Sequence, residues 1–100
     1  MGVKIEVPGE KIAALCRRYG IRKLALFGSV LRDDFRPGSD VDVLVEFEPS
    51  AKPGLRFFDV EQELSEIFGH KVDLNTPGFL SKYFREKVMA EAETVYDTAQ

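Results

Sequence analysis

The feature that most constrains the fold is residues 24–47, where two apolar runs of strand length enclose a polar interlude. The first run ends at Gly28-Ser29, and after ten further residues the second begins with Asp40 and Asp42. Valine-rich runs bounded by Gly, Pro and Ser are typical of strands. Because strand side chains alternate between faces, the two aspartates share one face, about 6–7 Å apart, and Val41, Val43 and Val45 share the other. The sequence therefore predicts a buried strand with a pair of acids on its uncovered side.

Hydrophobic spacing and glycine stops divide the rest of the chain into short alternating elements. Helices are predicted over residues 10–19, 29–34, 55–68 and 79–93, and strands over residues 22–28, 40–47, 70–76 and 94–100. Gly20 and Gly69 follow two of these helices, at the position where a glycine commonly ends a helix. The order predicts an α+β (α/β two-layer) protein, a small mixed sheet with helices packed on one face. A doubly wound sheet is an alternative, although three or four short strands are few for it.

Composition limits the class of protein. One hundred residues predict a single domain, residues 1–100. A net charge of -3 provides no basic surface, so we expect no direct contact with nucleic acid. The sequence has neither a signal-peptide pattern nor an apolar run long enough for a bilayer, so we expect no membrane association. The single cysteine, Cys16, cannot form an internal disulfide, which fits a reducing, cytoplasmic location.

A third acid extends the acidic face of the predicted sheet. In the third predicted strand Val72 and Leu74 are expected to point into the core, so Asp73 points the opposite way. If this strand lies beside the strand of Asp40 and Asp42, three carboxylates meet on the open face. Hard oxygen ligands of this kind suit Mg²⁺ or Mn²⁺ far better than Zn²⁺.

The Gly28-Ser29 pair predicts an anion site near these acids. A glycine at a strand end lets another group approach the backbone closely. Ser29, as the N-cap of a short helix, would lie beside free backbone N–H groups and the positive end of a helix dipole, where phosphate commonly binds. Arg32 would add a charge-assisted contact. An anion site that faces carboxylates holding a divalent metal is suited to phosphoryl or nucleotidyl transfer.

The spacing of Gly28-Ser29 from Asp40-Val41-Asp42 resembles the signature of the DNA polymerase β-like nucleotidyltransferase superfamily. The longer run FGSVLRDDFRPGSDVDVLVEF, with KVDL and EAETVYD further on, is similar to the minimal nucleotidyltransferases over about residues 10–98. The resemblance implies the nucleotidyltransferase fold, ATP as the substrate and two Mg²⁺ ions, with Mn²⁺ as a possible substitute.

The resemblance also implies a role for each matching residue. The residues that match the catalytic, metal-binding acids are Asp40, Asp42 and Asp73. The residues that match nucleotide-binding positions are Gly28, Ser29, Arg32 and Ser39. Asp73 would help to hold the second metal and activate the acceptor hydroxyl, and we interpret Ser39 as structural support for the first acid. Asp33 is a departure, because many relatives have glycine there and it adds negative charge near the triphosphate.

Minimal nucleotidyltransferases are often the antitoxins of HEPN/MNT toxin–antitoxin pairs. The resemblance therefore implies Mg²⁺-dependent transfer of AMP from ATP to a hydroxyl of a partner protein, a HEPN toxin that the transfer neutralises. A single small domain has no second lobe to clasp a substrate, so a homodimer or a hetero-oligomer with the toxin is expected. The alternative is a non-catalytic antitoxin that neutralises its partner by complex formation. Transfer to a small molecule such as an aminoglycoside ranks third.

Overall fold

The computed structural model describes residues 5–33 and 35–98. The helices are α1 (Gly9–Tyr19), α2 (Arg56–Phe68) and α3 (Lys82–Glu91), and the strands are β1 (Ile21–Phe27), β2 (Val41–Phe47), β3 (Val72–Asn75) and β4 (Glu93–Asp97). Short 3₁₀ helices, Gly28–Leu31 and Pro77–Phe79, follow β1 and β3. As predicted, α1 and α2 end at Gly20 and Gly69. None of the described helices combines the length and the apolar run that crossing a membrane requires.

The strands form one mixed sheet in the order β3-β2-β1-β4. β1 is antiparallel to β2 on one side and to β4 on the other, and β3 is parallel to β2. The predicted small mixed α+β sheet is therefore confirmed, and its antiparallel pairs exclude the doubly wound alternative. The edge strand predicted over residues 94–100 is β4, and the last two residues of that range lie outside the described part of the chain.

The first face of the sheet is covered by α1 and α2. The buried residues of this core include Ile12, Leu15 and Cys16 from α1, Val60, Leu64 and Phe68 from α2, and Leu24, Leu26, Val41, Val43, Val45, Val72 and Leu74 from the strands. Each large apolar side chain buried in this way stabilises the fold by about 1.5–3 kcal/mol. Burial raises the pKa of the Cys16 thiol to about 12, so this side chain is a neutral part of the core.

The second face of the sheet is covered in part by α3. The predicted packing of helices on one face holds for α1 and α2, whereas Val88 of α3 packs against Ala25, Phe27 and Leu44 on the opposite face. These three strand residues alternate with residues of the first core, so they would be exposed apolar surface without α3. The acids of β2 and β3 belong to this second face, and α3 therefore borders them.

Candidate active site

Asp42 and Asp73 lie side by side at one end of the sheet. β2 and β3 are parallel neighbours in a register that pairs Val41 with Val72 and Asp42 with Asp73. Asp40 lies immediately before β2. Asp40 and Asp73 are exposed, whereas Asp42 is partly buried. The two acid-bearing strands are therefore adjacent, which is the condition under which the sequence predicts that these acids meet on one face.

Asp42 is the acid whose protonation this environment perturbs. Partial burial raises the pKa of its carboxyl most, and the negative charges of Asp73 and Asp40 raise this pKa further. The guanidinium of Arg32 acts in the opposite direction and lowers the pKa. Interactions of this kind act over a few ångströms. The three acids and Arg32 thus form one electrostatic cluster in which a bound cation would relieve repulsion.

Gly28 ends β1 directly against the Asp42 carboxylate. Phe27 is paired with Asp42 across β1 and β2, so the next residue of the chain turns beside this side chain. Gly28 has a φ of 79°, and a Cβ at this position would overlap the Oδ2 atom of Asp42. Both the backbone conformation and the close approach exclude other residues. Glycine here lets the partly buried Asp42 carboxylate lie directly against the turn.

The segment after Gly28 differs from the helical turn predicted over residues 29–34. It is a four-residue 3₁₀ helix in which Ser29 lies inside the turn and Phe27 is the N-cap residue. The carbonyl oxygen of Ser29 accepts a hydrogen bond from the backbone N–H of Arg32 at 2.9 Å. So short a segment aligns few peptide dipoles, and the expected contribution of a helix terminus to anion binding does not apply. A phosphate contact here would depend on the backbone of the turn and on Arg32.

Arg32 and Ser39 lie on either side of the loop that leads to β2. Arg32 Nη2 is 3.7 Å from Glu91 Oε1 at the end of α3. The hydroxyl of Ser39 accepts a hydrogen bond from the backbone N–H of Arg36 at 3.1 Å, and the N–H of Ser39 donates to the carbonyl of Arg36 at 2.9 Å. Ser39 therefore closes the turn that precedes Asp40, consistent with structural support.

Two side chains of α2 bind the outer edge of β3 on either side of Asp73. The hydroxyl of Ser65 accepts a hydrogen bond from the N–H of Val72 at 2.9 Å, and Glu61 Oε2 accepts one from the N–H of Leu74 at 2.9 Å. The two helix residues are one helical turn apart and the two strand residues are two positions apart, and each of these separations is about 6–7 Å. The spacing of the acceptors on α2 therefore matches the spacing of the N–H groups on β3. The sequence did not predict this pair, because its local signal is no more than two polar residues beside the apolar stripe of α2.

The donor set at this end of the sheet suits a divalent cation in its chemistry, since carboxylate oxygens are the ligands that Mg²⁺ prefers. Within residues 5–33 and 35–98, no group of three His, Cys, Asp or Glu side chains is close enough together to hold a metal ion. Asp40 and Asp73 are exposed, and exposed side chains change rotamer within nanoseconds. The chemistry of these acids therefore fits a divalent cation, whereas their side chains in this structure are not gathered around one ion position.

A mixed sheet with acids paired across neighbouring strands, and a glycine turn pressed against one of them, is an arrangement suited to the phosphoryl- or nucleotidyl-transfer class of protein. The chain belongs to the nucleotidyltransferase domain family, which matches residues 10–96. This match confirms the predicted family and, with it, the predicted class of enzyme.

Similar proteins include protein adenylyltransferases. The chain is 37% identical over 79 residues to the protein adenylyltransferase MntA of Thermococcus cleftensis, over 77% of each chain. The solved "Structure of putative minimal nucleotidyltransferase" superposes with a TM-score of 0.70 at 34% identity, over 84% of this chain and 85% of that chain. The fold also matches one chain of the solved structure of a tri-AMPylated Shewanella oneidensis HEPN toxin in complex with an MNT antitoxin, with a TM-score of 0.64 at 22% identity, over 92% of this chain and 71% of that chain.

Proposed function

We propose that this protein transfers AMP from ATP to a hydroxyl of a partner protein, and that the partner is a HEPN toxin neutralised by the transfer. Family membership supports nucleotidyl transfer, and the similarity to MntA of T. cleftensis supports a protein as acceptor. The observation that carries the proposal is the pairing of Asp42 with Asp73 on neighbouring strands, with Asp42 pressed against the Gly28 turn.

In this proposal Asp40, Asp42 and Asp73 are the catalytic acids and hold two Mg²⁺ ions, for which Mn²⁺ can substitute. Bound metal would neutralise phosphate charge and stabilise the attacking and leaving oxygens. Asp73, exposed beside Asp42, takes the proton of the acceptor hydroxyl. The hydroxyl oxygen forms a bond to the α-phosphorus of ATP, and the bond from this phosphorus to the pyrophosphate leaving group breaks.

Gly28, Ser29, Arg32 and Ser39 form the nucleotide-binding part of the proposed site. Because Gly28 has no side chain, its turn lies against the Asp42 carboxylate, so a triphosphate bound by this turn would be next to the acid, and Ser29 continues the same turn. Arg32 supplies a positive charge to phosphate oxygens. Ser39 keeps the loop before Asp40 closed through its hydrogen bonds to Arg36.

The test is the mass of the partner. The purified protein is mixed with ATP, Mg²⁺ and the protein encoded beside it, and the intact mass of each protein is measured. We expect the partner to gain the mass of one or more AMP groups. The double substitution Asp40→Ala/Asp42→Ala should abolish the gain, because it removes two of the three acids.

The matched control is Asp59→Ala/Glu66→Ala, which removes two exposed acids from α2 and leaves the site intact. This variant should retain transfer at the wild-type rate. Transfer that survives Asp40→Ala/Asp42→Ala would place the chemistry elsewhere in the protein. An unmodified partner that still forms a tight complex would replace the proposed enzyme with a binding antitoxin.

That binding antitoxin is the second candidate function, and exposed apolar surface favours it. Leu55 and Phe58 are 84% and 61% exposed at the start of α2. Phe58 also lines an open groove with Phe47 and Phe57. Large apolar groups of this kind are commonly covered by another protein.

The proposal also defines where and with what the protein acts. We propose a single domain, residues 1–100, that acts in the cytoplasm, where ATP and the toxin are present. The acceptor side of the site is open because the described chain provides no second lobe over the acids. A hetero-oligomer with the toxin, or a homodimer, would supply the second lobe. We propose no direct contact of the protein with nucleic acid or membrane.

A further inference from the structure

Arg32, the cation that acts on Asp42, also contacts a further acid. Arg32 lowers the pKa of Asp42, and Arg32 Nη2 lies 3.7 Å from Glu91 Oε1. The side chains of Arg32 and Glu91 are 55% and 36% exposed, so a solute can reach both. Glu91 is the last residue of α3, and Arg32 directly follows the Gly28–Leu31 turn.

We propose that Glu91 competes with the triphosphate of ATP for Arg32 and so sets the affinity of the site for nucleotide. This inference rests on the proposed function, because it takes Arg32 as a phosphate-binding residue. In the nucleotide-free protein Glu91 holds the guanidinium. When ATP binds, the guanidinium moves from the carboxylate to phosphate oxygens, which carry more negative charge. Glu91 is therefore a positioning residue that acts through Arg32.

The place of Glu91 in the helix supports this role. A negative side chain at the carboxyl end of a helix opposes the helix dipole, so Glu91 does not stabilise α3 by its position. The backbone there is held, since the N–H of Ala92 donates to the carbonyl of Val88 at 2.9 Å and Val88 is buried on the sheet. The carboxylate of Glu91 is thus stabilised by its ion pair with Arg32 and not by its position at the end of the helix.

An exposed pair of this kind exchanges partners readily. Pairs between exposed side chains contribute little to stability and are screened by salt. A triphosphate offers the guanidinium several charged oxygens and a two-point contact. Loss of the carboxylate should therefore raise the affinity for ATP by about two- to five-fold, the range that the strength of an exposed pair allows.

The experiment is the binding of ATP with Mg²⁺ to the intact protein, measured by calorimetry at low and high salt. We expect Glu91→Gln to bind ATP about two- to five-fold more tightly than the wild type at low salt, with a smaller difference at high salt. The matched control is Glu86→Gln, which removes the same charge from an exposed position of α3. Its effect on affinity should be smaller. In an Arg32→Gln background, Glu91→Gln should have no effect.

The proposal is overturned if Glu91→Gln binds ATP with wild-type or lower affinity, or if the gain persists without Arg32. A gain matched by Glu86→Gln would also overturn it, because general charge would then explain the result. If the wild-type protein binds ATP and Glu91→Gln binds it more tightly, but no AMP reaches the partner, the proposed function fails and the competition stands. If the wild-type protein binds no ATP, both fail.

Discussion

Asp42 combines two opposing requirements in one side chain. Its partial burial and the charges of Asp40 and Asp73 disfavour its ionised form, whereas the proposed chemistry uses the carboxylate. Groups with perturbed pKa values are common in active sites, where the fold gives up stability to hold them. Removal of the charge should therefore separate stability from activity.

Asp42→Asn should stabilise the fold and abolish AMP transfer. Because the pKa of Asp42 is raised in the folded protein, ionisation of this carboxyl lowers the free energy of unfolding. This loss is absent at pH values below the ordinary pKa of 3.8 and complete at pH values above the raised pKa of the folded protein. We expect the free energy of unfolding at neutral pH to rise by no more than about 1 kcal/mol, because solvent screens the charge of this partly exposed carboxylate. The gain should vanish as the pH falls toward the ordinary pKa, and AMP transfer should fall about 100-fold or more. Urea unfolding at several pH values measures the change in stability, and the mass of the partner measures AMP transfer. An Asp42→Asn variant that is less stable than the wild type at neutral pH would contradict the electrostatic explanation.

Gly28→Ala should damage both the fold and the site. The residue has a φ of 79°, and the added Cβ would overlap the Asp42 carboxylate. We expect a loss of at least about 1–2 kcal/mol in the free energy of unfolding, with reduced AMP transfer. Gly38→Ala is the matched control, since a Cβ there meets no atom within 4 Å. Urea unfolding of the two variants measures the contrast, and equal stabilities would refute the close approach.

At the scale of elements, α2 positions the strand that carries Asp73. Ser65 and Glu61 accept the hydrogen bonds of Val72 and Leu74, the strand residues on either side of that acid. The same bonds satisfy N–H groups on the outer edge of β3, which would otherwise be free to pair with another strand. One helix thus contributes both to the core and to the position of a proposed catalytic residue.

Glu61→Leu should destabilise the protein and reduce AMP transfer, because the N–H of Leu74 loses its acceptor. We expect a loss of about 1–3 kcal/mol in the free energy of unfolding. Glu61→Gln keeps an acceptor oxygen and should restore most of the stability and the activity. Glu66→Leu, at an exposed position of α2, is the control for the change in side-chain type. Chemical unfolding and the mass assay test the series, and if Glu61→Gln is as damaging as Glu61→Leu, the carboxylate has some role other than acceptor.

Elements set by local patterns could be predicted from the sequence, and those set by distant surfaces could not. Apolar spacing and the stops at Gly20 and Gly69 predicted α1 and α2 well, and β-branched runs predicted the central strands. The turn after Gly28 is 3₁₀ rather than α-helical, because the chain reverses there toward β2. For α3, the sequence showed an apolar stripe but not which face of the sheet it covers.

The same distinction applies to the candidate site. Alternation along the two strands predicted that Asp42 and Asp73 share a face if the strands are neighbours, and the register places them side by side. The roles assigned to the site residues stay predictions. The contacts of Glu61 with β3 and of Glu91 with Arg32 depend on how helices dock, so no local spacing revealed them.

At the scale of the whole molecule, the sheet separates two cores of unequal size. Among the described residues, the core under α1 and α2 contains most of the buried side chains, whereas the core under α3 has four buried residues with Leu80 and Ala92 packed against them. Within Lys82–Glu91, Val88 is the one buried residue. Elements with few buried apolar contacts open at lower free energy than the rest of a protein. Because α3 ends in Glu91, opening of this helix would also separate the ion pair with Arg32.

We therefore expect α3 to open independently of the rest of the molecule, and native-state hydrogen exchange measures this. The amides of α3 should exchange faster than those of α1 and α2 in the wild-type protein. Val88→Ala should speed exchange mainly in α3, because it removes that helix's buried contact with the sheet. Val60→Ala, the matched substitution in the larger core, should instead lower the free energy of unfolding of the whole domain and speed exchange in its most protected amides. If Val88→Ala speeds exchange equally in all elements, the two cores unfold together and the sheet does not divide the molecule into units of different stability.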